Sequence, residues 1–265
     1  MIDTSHAIYE GAMLLHKPIK VFALFSGGND SIVSTHFAME KGADSVVHIN
    51  TGIGIRETRE FVRDTCNRYG WPLIEEFPPD KTYEQFVLKY GFPGPAAHRY
   101  AYVWLKERAL NKIIRENKKS RKDRIALVTG VRNQESARRM GYTNPILRVG
   151  SSVWVAPIYM YSKIDLHKYR TTHSLPQSEV SRKLGMSGEC LCGAFASPSE
   201  FQLIWKNYPE AAIQISDLED KVKAAGIPRC IWGDRSYKAP ISIKDDSFMP
   251  MCIGCNESKR RENLG

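Results

Sequence analysis

Between residues 20 and 131 the chain alternates strand-length apolar runs with helix-length amphipathic ones, and no other feature constrains its fold as strongly. KVFALF, SVVHINTG, WPLIEEF and RIALVTGV read as strands. IVSTHFAMEKG, the stretch from about Arg56 to Tyr69, TYEQFVLKYGF and HRYAYVWLKERALNKIIREN read as helices. Strands separated by helices of this length need right-handed crossovers, so the expected product is an α/β fold with a mostly parallel sheet sandwiched by helices. Ligands of such sheets sit beyond the carboxyl ends of the strands, where the turns at Ser26, Thr51 and Gly130 are expected to converge.

Two of those turns have the composition of an anion site. In LFSGGNDSI, residues 24–32, a polar strand-to-helix turn points backbone N–H groups and the positive end of a helix dipole at one spot. Gly27 and Gly28 leave room for close approach of a ligand, and Ser26 and Ser31 add hydroxyls. In GVRNQESARRMG the groups Arg132, Glu135, Ser136, Arg138 and Arg139 follow a strand directly, and the planar fork of Arg suits phosphate or sulfate oxygens. Taken alone, each stretch also fits a bland reading, as a tight turn or a solvated helix start. The formal net charge of +9, from 38 Lys and Arg against 29 Asp and Glu, favours an anionic partner without naming it.

The order SGGNDS, NTG with Glu-Thr shortly after, GVRNQES with a following Arg, API, Ser162 and SKIDLHKY resembles the phosphoadenosine phosphosulfate (PAPS) reductase family. That family belongs to the PP-loop group, whose adenine nucleotide alpha-hydrolase-like fold is Rossmann-like (HUP). The resemblance spans roughly residues 20 to 185. It implies that Ser26, Gly27, Gly28, Asn29, Asp30 and Ser31 hold the phosphates of ATP or a related adenine nucleotide, and that Thr51 and Gly52 border the nucleotide. Gly130, Arg132, Glu135, Ser136 and Arg139 would shape the phosphate or sulfate end. Asp30 would place Mg²⁺, while Arg132 and Arg139 would balance charge developing on the phosphates. The Walker spacing is absent, and Asn29 occupies the place where many PP-loops carry Lys.

The cysteines point to a second unit. Six cysteines without an export signal favour reduced thiols or metal ligands over disulfides. Four of them form the pairs Cys190-Leu-Cys192 and Cys252-Ile-Gly-Cys255, beside Gly193 and Gly254, a spacing able to converge on one metal. From Ser162 onward the alternation stops. The expected organisation is therefore a nucleotide-binding α/β domain over 1–162 and a small helical, four-cysteine appendage over 163–265. Within the appendage, Ser197, Pro198 and Glu200 mark a helix start, and Gly226 and Pro228 mark a helix end. The resemblance to sulfur-transferring PP-loop proteins that act on transfer RNA or DNA implies a [4Fe–4S] cluster on the four thiolates, with zinc as the alternative.

Other residues separate the readings. The Glu-Cys-Gly-Leu-His element of true sulfonucleotide reductases is absent, as is an adjacent Cys-Cys pair. Ala101 stands where sulfur-transfer relatives often carry Cys, leaving Cys66 and Cys230 as sulfur carriers or core thiols. His98 is either a proton-transfer group or a turn-stabilising one. The basic run NKIIRENKKSRKDR, residues 111–124, is a solvated helix face or a groove for a nucleic-acid backbone, with Trp154, Trp205 and Trp232 as stacking or core residues. No apolar run is long enough to span a membrane, so a cytoplasmic protein is expected. Three readings stay open. The first is ATP cleavage between the alpha and beta phosphates coupled to sulfur transfer from a donor protein onto a nucleic acid or other acceptor. The second is a sulfonucleotide reductase releasing sulfite, and the third is a non-catalytic nucleotide sensor.

Overall fold

A computed structural model describes residues 2–79, 82–133, 144–234 and 251. Among the described residues six strands form one sheet in the order β3-β2-β1-β4-β6-β5. They are β1 (Lys20–Leu24), β2 (Ser45–Ile49), β3 (Leu73–Glu76), β4 (Ile125–Val128), β5 (Ile146–Val149) and β6 (Ser152–Val155). The pairs β1–β2, β2–β3, β1–β4 and β4–β6 are parallel, and β5 runs antiparallel to β6. The chain steps outward from β1 to β3 and then returns to the other side of β1. The seam between β1 and β4 is therefore the topological switch point, where a crevice opens at the carboxyl ends.

Helices cover both faces. α1 (Ile2–His16), α2 (Asn29–Glu40), α3 (Arg56–Tyr69) and, further on, α7 (Lys163–Thr172) share one side. The long helical stretch over 98–116 lies on the other, as α5 (His98–Tyr102), a π-helical turn (Val103–Glu107) and α6 (Arg108–Glu116), after α4 (Tyr83–Tyr90). The strand period of two sorts β1 between these layers: Phe22 and Leu24 pack with Leu110 and Ile113, while Ala23 and Phe25 face the opposite side. α6 buries Ala109, Leu110, Ile113 and Ile114 and turns its charges outward, so the basic run begins as a solvated face, with Arg115, Lys119, Arg121 and Lys122 exposed.

The last helices are α8 (Glu179–Leu184), α9 (Pro198–Asn207) and α10 (Pro209–Ala224). Ser197 caps α9 by accepting from the Glu200 N–H at 3.3 Å, and Gly226 at φ +70° follows α10. These helices do not build a core of their own. One cluster joins Val180, Leu184, Ile204, Ala212, Ile215 and Val222 to Ile53, Ile55, Tyr83, Phe86 and Leu105 from the α/β part.

Sequence reasoning missed α1 and the β5–β6 hairpin. The strands of the hairpin are four residues each, and Gly150 at φ +58° turns the chain between them. No helix among the described residues is long and apolar enough to cross a membrane.

A candidate nucleotide cavity at the switch point

A cavity of about 440 Å³ opens at the carboxyl ends of β1 and β4, a size that fits a small-molecule ligand. Its floor is the 26–31 turn. The Ser31 hydroxyl accepts from the Gly28 N–H at 3.1 Å, donates to the Gly28 carbonyl at 3.0 Å and accepts from the Ser26 hydroxyl at 3.0 Å. The two serines thus build the turn itself. Glycine is required at two neighbouring points. Gly27 sits at φ +76°, and a Cβ on Gly130 would stand 2.8 Å from the Ser31 nitrogen, so β4 ends directly against the turn.

Asp30 and Arg132 come together as expected, but as partners. The Arg132 guanidinium, 3% exposed, donates to the Asp30 carboxylate at 3.2 Å and to the Tyr161 carbonyl at 3.2 Å. Glu135, Ser136, Arg138 and Arg139 lie outside the described residues. Thr51 and Gly52 stand beside the cavity and do not line it: the Thr51 hydroxyl is buried and donates to the Glu189 carbonyl at 3.1 Å.

That contact exposes what sequence reasoning missed, a wall formed by Gly185, Met186, Ser187, Gly188, Glu189 and Cys190. It has no regular structure and is laced to the loop after β2. The Ile55 N–H donates to the Gly188 carbonyl at 2.8 Å, the Leu191 N–H to the Ile53 carbonyl at 2.6 Å, and the Thr58 hydroxyl to the Ser187 carbonyl at 2.6 Å. A Cβ on Gly54 would fall 2.2 Å from the Glu189 carbonyl oxygen. Lys106, in the π-helical turn, closes the wall from below. Its ammonium, 3% exposed, donates to the Glu189 carboxylate at 2.8 Å and to the Met251 carbonyl at 2.9 Å. The third wall is α7, which contributes Lys163, Leu166, His167 and Arg170.

Cys190 lines this cavity while Cys192 is buried behind it. A hydrogen bond from Cys192, reinforced by the Lys106 charge, holds the Cys190 thiol below the ordinary cysteine range. The carbonyls around the pair are pinned, Leu191 by the Trp232 indole at 2.7 Å and Cys192 by the Tyr83 hydroxyl at 2.8 Å. Gly193 at φ +78° leaves room for that indole, which a Cβ would meet at 2.7 Å. Cys252 and Cys255 lie outside the described residues, although Met251, one residue earlier in the sequence, lines the cavity. Among the described residues no three candidate ligands gather, so the donor set seen is two thiols of an expected four.

The remaining candidates are placed elsewhere. Burial pushes the Cys66 thiol up to about 12, which makes it a core group with no thiolate near neutral pH. Cys230 packs against the core around α9 and α10. His98 is fully buried with its ring centroid 4.7 Å from that of Phe195, away from the cavity lining. Trp154 and Trp232 are core residues, and Trp205 is exposed.

The phosphoadenosine phosphosulfate reductase domain model matches residues 20–184, well over half of the chain, and covers the turn, the switch point and α7 together. The chain belongs to the PAPS reductase domain family. Within that family's fold it is similar to a Candida auris phosphoadenylyl-sulfate reductase solved as a phosphate complex. That likeness has 16% identity and a TM-score of 0.51, and covers 69% of this chain and 85% of the reductase. It is also similar, at 16% identity and a TM-score of 0.44, to Candida glabrata FMN adenylyltransferase in complex with ATP, covering 69% of this chain and 57% of that one. At 16% identity the likeness to the reductase speaks to the fold alone. No curated protein sequence is significantly similar to the chain. The matched residues 20–184 include most of the cavity lining, and the fold leaves the reaction to the residues around it.

Proposed function

We propose that this protein binds ATP in the switch-point cavity, cleaves it between the alpha and beta phosphates, and couples the resulting adenylation to sulfur transfer. The observation that carries the reading is that the phosphate turn and the Cys190 thiol line one cavity. Phosphate oxygens would meet the N–H groups at 29–31, and Arg132 with the α7 cations would face the charge that builds on the departing pyrophosphate. An acceptor oxygen attacks the alpha phosphorus, the alpha–beta P–O bond breaks, and AMP stays on the acceptor. A sulfur nucleophile supplied by a donor protein then displaces AMP. The exposed basic run at 115–122 suits a nucleic-acid acceptor held by its backbone.

The donor sets fit the implied groups to different degrees. Asp30, in the cavity beside Arg132, is the single carboxylate that a magnesium bound mainly by phosphates and water needs, and the ion would supply charge neutralisation there. Cys190 and Cys192, with Cys252 and Cys255, would hold a [4Fe–4S] cluster or a zinc ion. The cluster would supply redox or sulfide chemistry at the nucleotide, and the zinc a structural clip.

The test is product analysis on the full chain purified without oxygen. With MgATP and an acceptor, AMP and pyrophosphate should appear in equal amounts, and Arg132→Ala should slow their release by about 100-fold or more. Sulfite from a sulfonucleotide and thiol, with no AMP from ATP, would replace this reading with the reductase. Tight ATP binding without any product would leave a nucleotide sensor.

A further inference from the structure

The phosphate turn carries a neutral side chain at Asn29, yet the structure sets a cation against it from another element. Arg170, in the last turn of α7, donates from Nη1 to Asn29 Oδ1 at 3.3 Å. Among the described residues that is the one hydrogen bond it makes. Its Nε is buried without a hydrogen-bond partner, and among the described residues no carboxylate pairs with it.

A buried N–H of a charged group with nothing to donate to, as at this Nε, is costly. Partial burial also pulls the pKa of Arg170 down, and no carboxylate among the described residues offsets it. A guanidinium stays protonated even so. The group therefore sits beside the phosphate turn as a full positive charge with open donor capacity.

Lys163, seven residues before Arg170 and on the same face of α7, carries the same sign, and both line the cavity together with His167. Asp30, the acid of the turn, is already held by Arg132. The α7 face is thus an excess of positive charge across the cavity from a turn that offers only neutral N–H groups. A monophosphate seated on the turn would leave that face unanswered, whereas a chain of phosphates would reach it.

We propose that Arg170 holds the terminal phosphoryl oxygens of a nucleoside di- or triphosphate in this cavity, replacing from α7 the ammonium that the turn lacks at Asn29. The assignment rests on the ATP reading above and deepens it, since it names the residue that distinguishes an oligophosphate from a nucleoside monophosphate.

The experiment is isothermal titration of the full chain with MgATP, AMP and inorganic tripolyphosphate, for the wild type, Arg170→Ala and the double variant Asn29→Lys/Arg170→Ala. Arg170→Ala should lose about 10- to 100-fold in affinity for ATP and tripolyphosphate and stay within about twofold for AMP. Asn29→Lys in the same chain should restore about tenfold of the ATP affinity. Retained AMP binding shows that the variant is folded. An equal fall for AMP and ATP, or a double variant with no recovery, would make Arg170 a structural prop of the turn and overturn the assignment. Wild-type ATP binding that Arg170→Ala leaves untouched overturns the assignment alone. A wild type that binds none of the three ligands overturns the ATP reading and, with it, the role of Arg170.

Discussion

The glycine at 130 shows how much chemistry one missing methyl group permits. A Cβ there would lie 2.8 Å from the Ser31 nitrogen, a backbone atom that cannot swing aside as a flexible side chain could. Gly130→Ala should therefore push the end of β4 off the phosphate turn. The expected result is at least a tenfold loss of ATP affinity by titration calorimetry, with a stability loss of about 1–3 kcal/mol in urea unfolding. Unchanged affinity would show that the turn adapts and that its geometry is not what binds phosphate. The position of such residues was legible in the sequence, because Gly130, Asp30 and Arg132 follow apolar strands directly and the turns after parallel strands converge. Arg170 was not legible: it lies inside a helix among ordinary polar neighbours, and only folding shows that it reaches Asn29.

At the level of elements, the helix that carries the turn is clamped to the helix that carries the cations. His36 of α2 meets the Tyr169 hydroxyl of α7 at 3.0 Å, its ring centroid lies 4.8 Å from that of His173, and Tyr69 and Trp71 pack edge-on against it. Burial first, and the neighbouring His173 second, lower the pKa of His36, while Glu40 pulls the other way. Folding thus favours the neutral ring, so the unfolded chain binds protons more readily. The contribution of His36 to stability is complete above the unfolded histidine value of about 6.5 and is lost as the pH falls from there through the lower folded value. Chemical unfolding should accordingly show a midpoint that drops between about pH 7 and pH 5.5, and a flatter profile for His36→Gln; identical profiles would remove His36 as the cause. The elements themselves were legible where they are long and repeat, as in the alternation from β1 to β4. The β5–β6 hairpin was not, because edge strand β5 is half-buried at Ile146 and Leu147 and exposed at Arg148 and Val149, which leaves a weak local pattern. The 185–190 wall escaped for a related reason, since its shape comes from hydrogen bonds to residues 53–58 far away in sequence.

For the molecule as a whole, the question is whether the region after residue 162 acts as an appendage or as part of the nucleotide site. Its helices share one core with Ile53, Ile55, Phe86 and Leu105, and its loop supplies a wall of the cavity. A ligand seated on the 26–31 turn would therefore touch both regions at once, and binding would stabilise them together. At ATP concentrations near 100 times Kd, the native state gains about 2.7 kcal/mol against unfolding. Hydrogen exchange can locate that gain. Added ATP should slow exchange at 26–33, in α7 and across 185–191 to a similar extent, with a matching rise in Tm. Protection confined to the turn and α2, with 185–191 exchanging as before, would mean that the C-terminal region is only attached to the nucleotide domain. The thiols at 190 and 192 would then lie too loosely over the phosphates to share in their chemistry. Concerted protection would instead tie the Cys190 loop to nucleotide occupancy, a coupling that the hydrogen bonds from Thr51, Ile55 and Thr58 into that loop are placed to transmit.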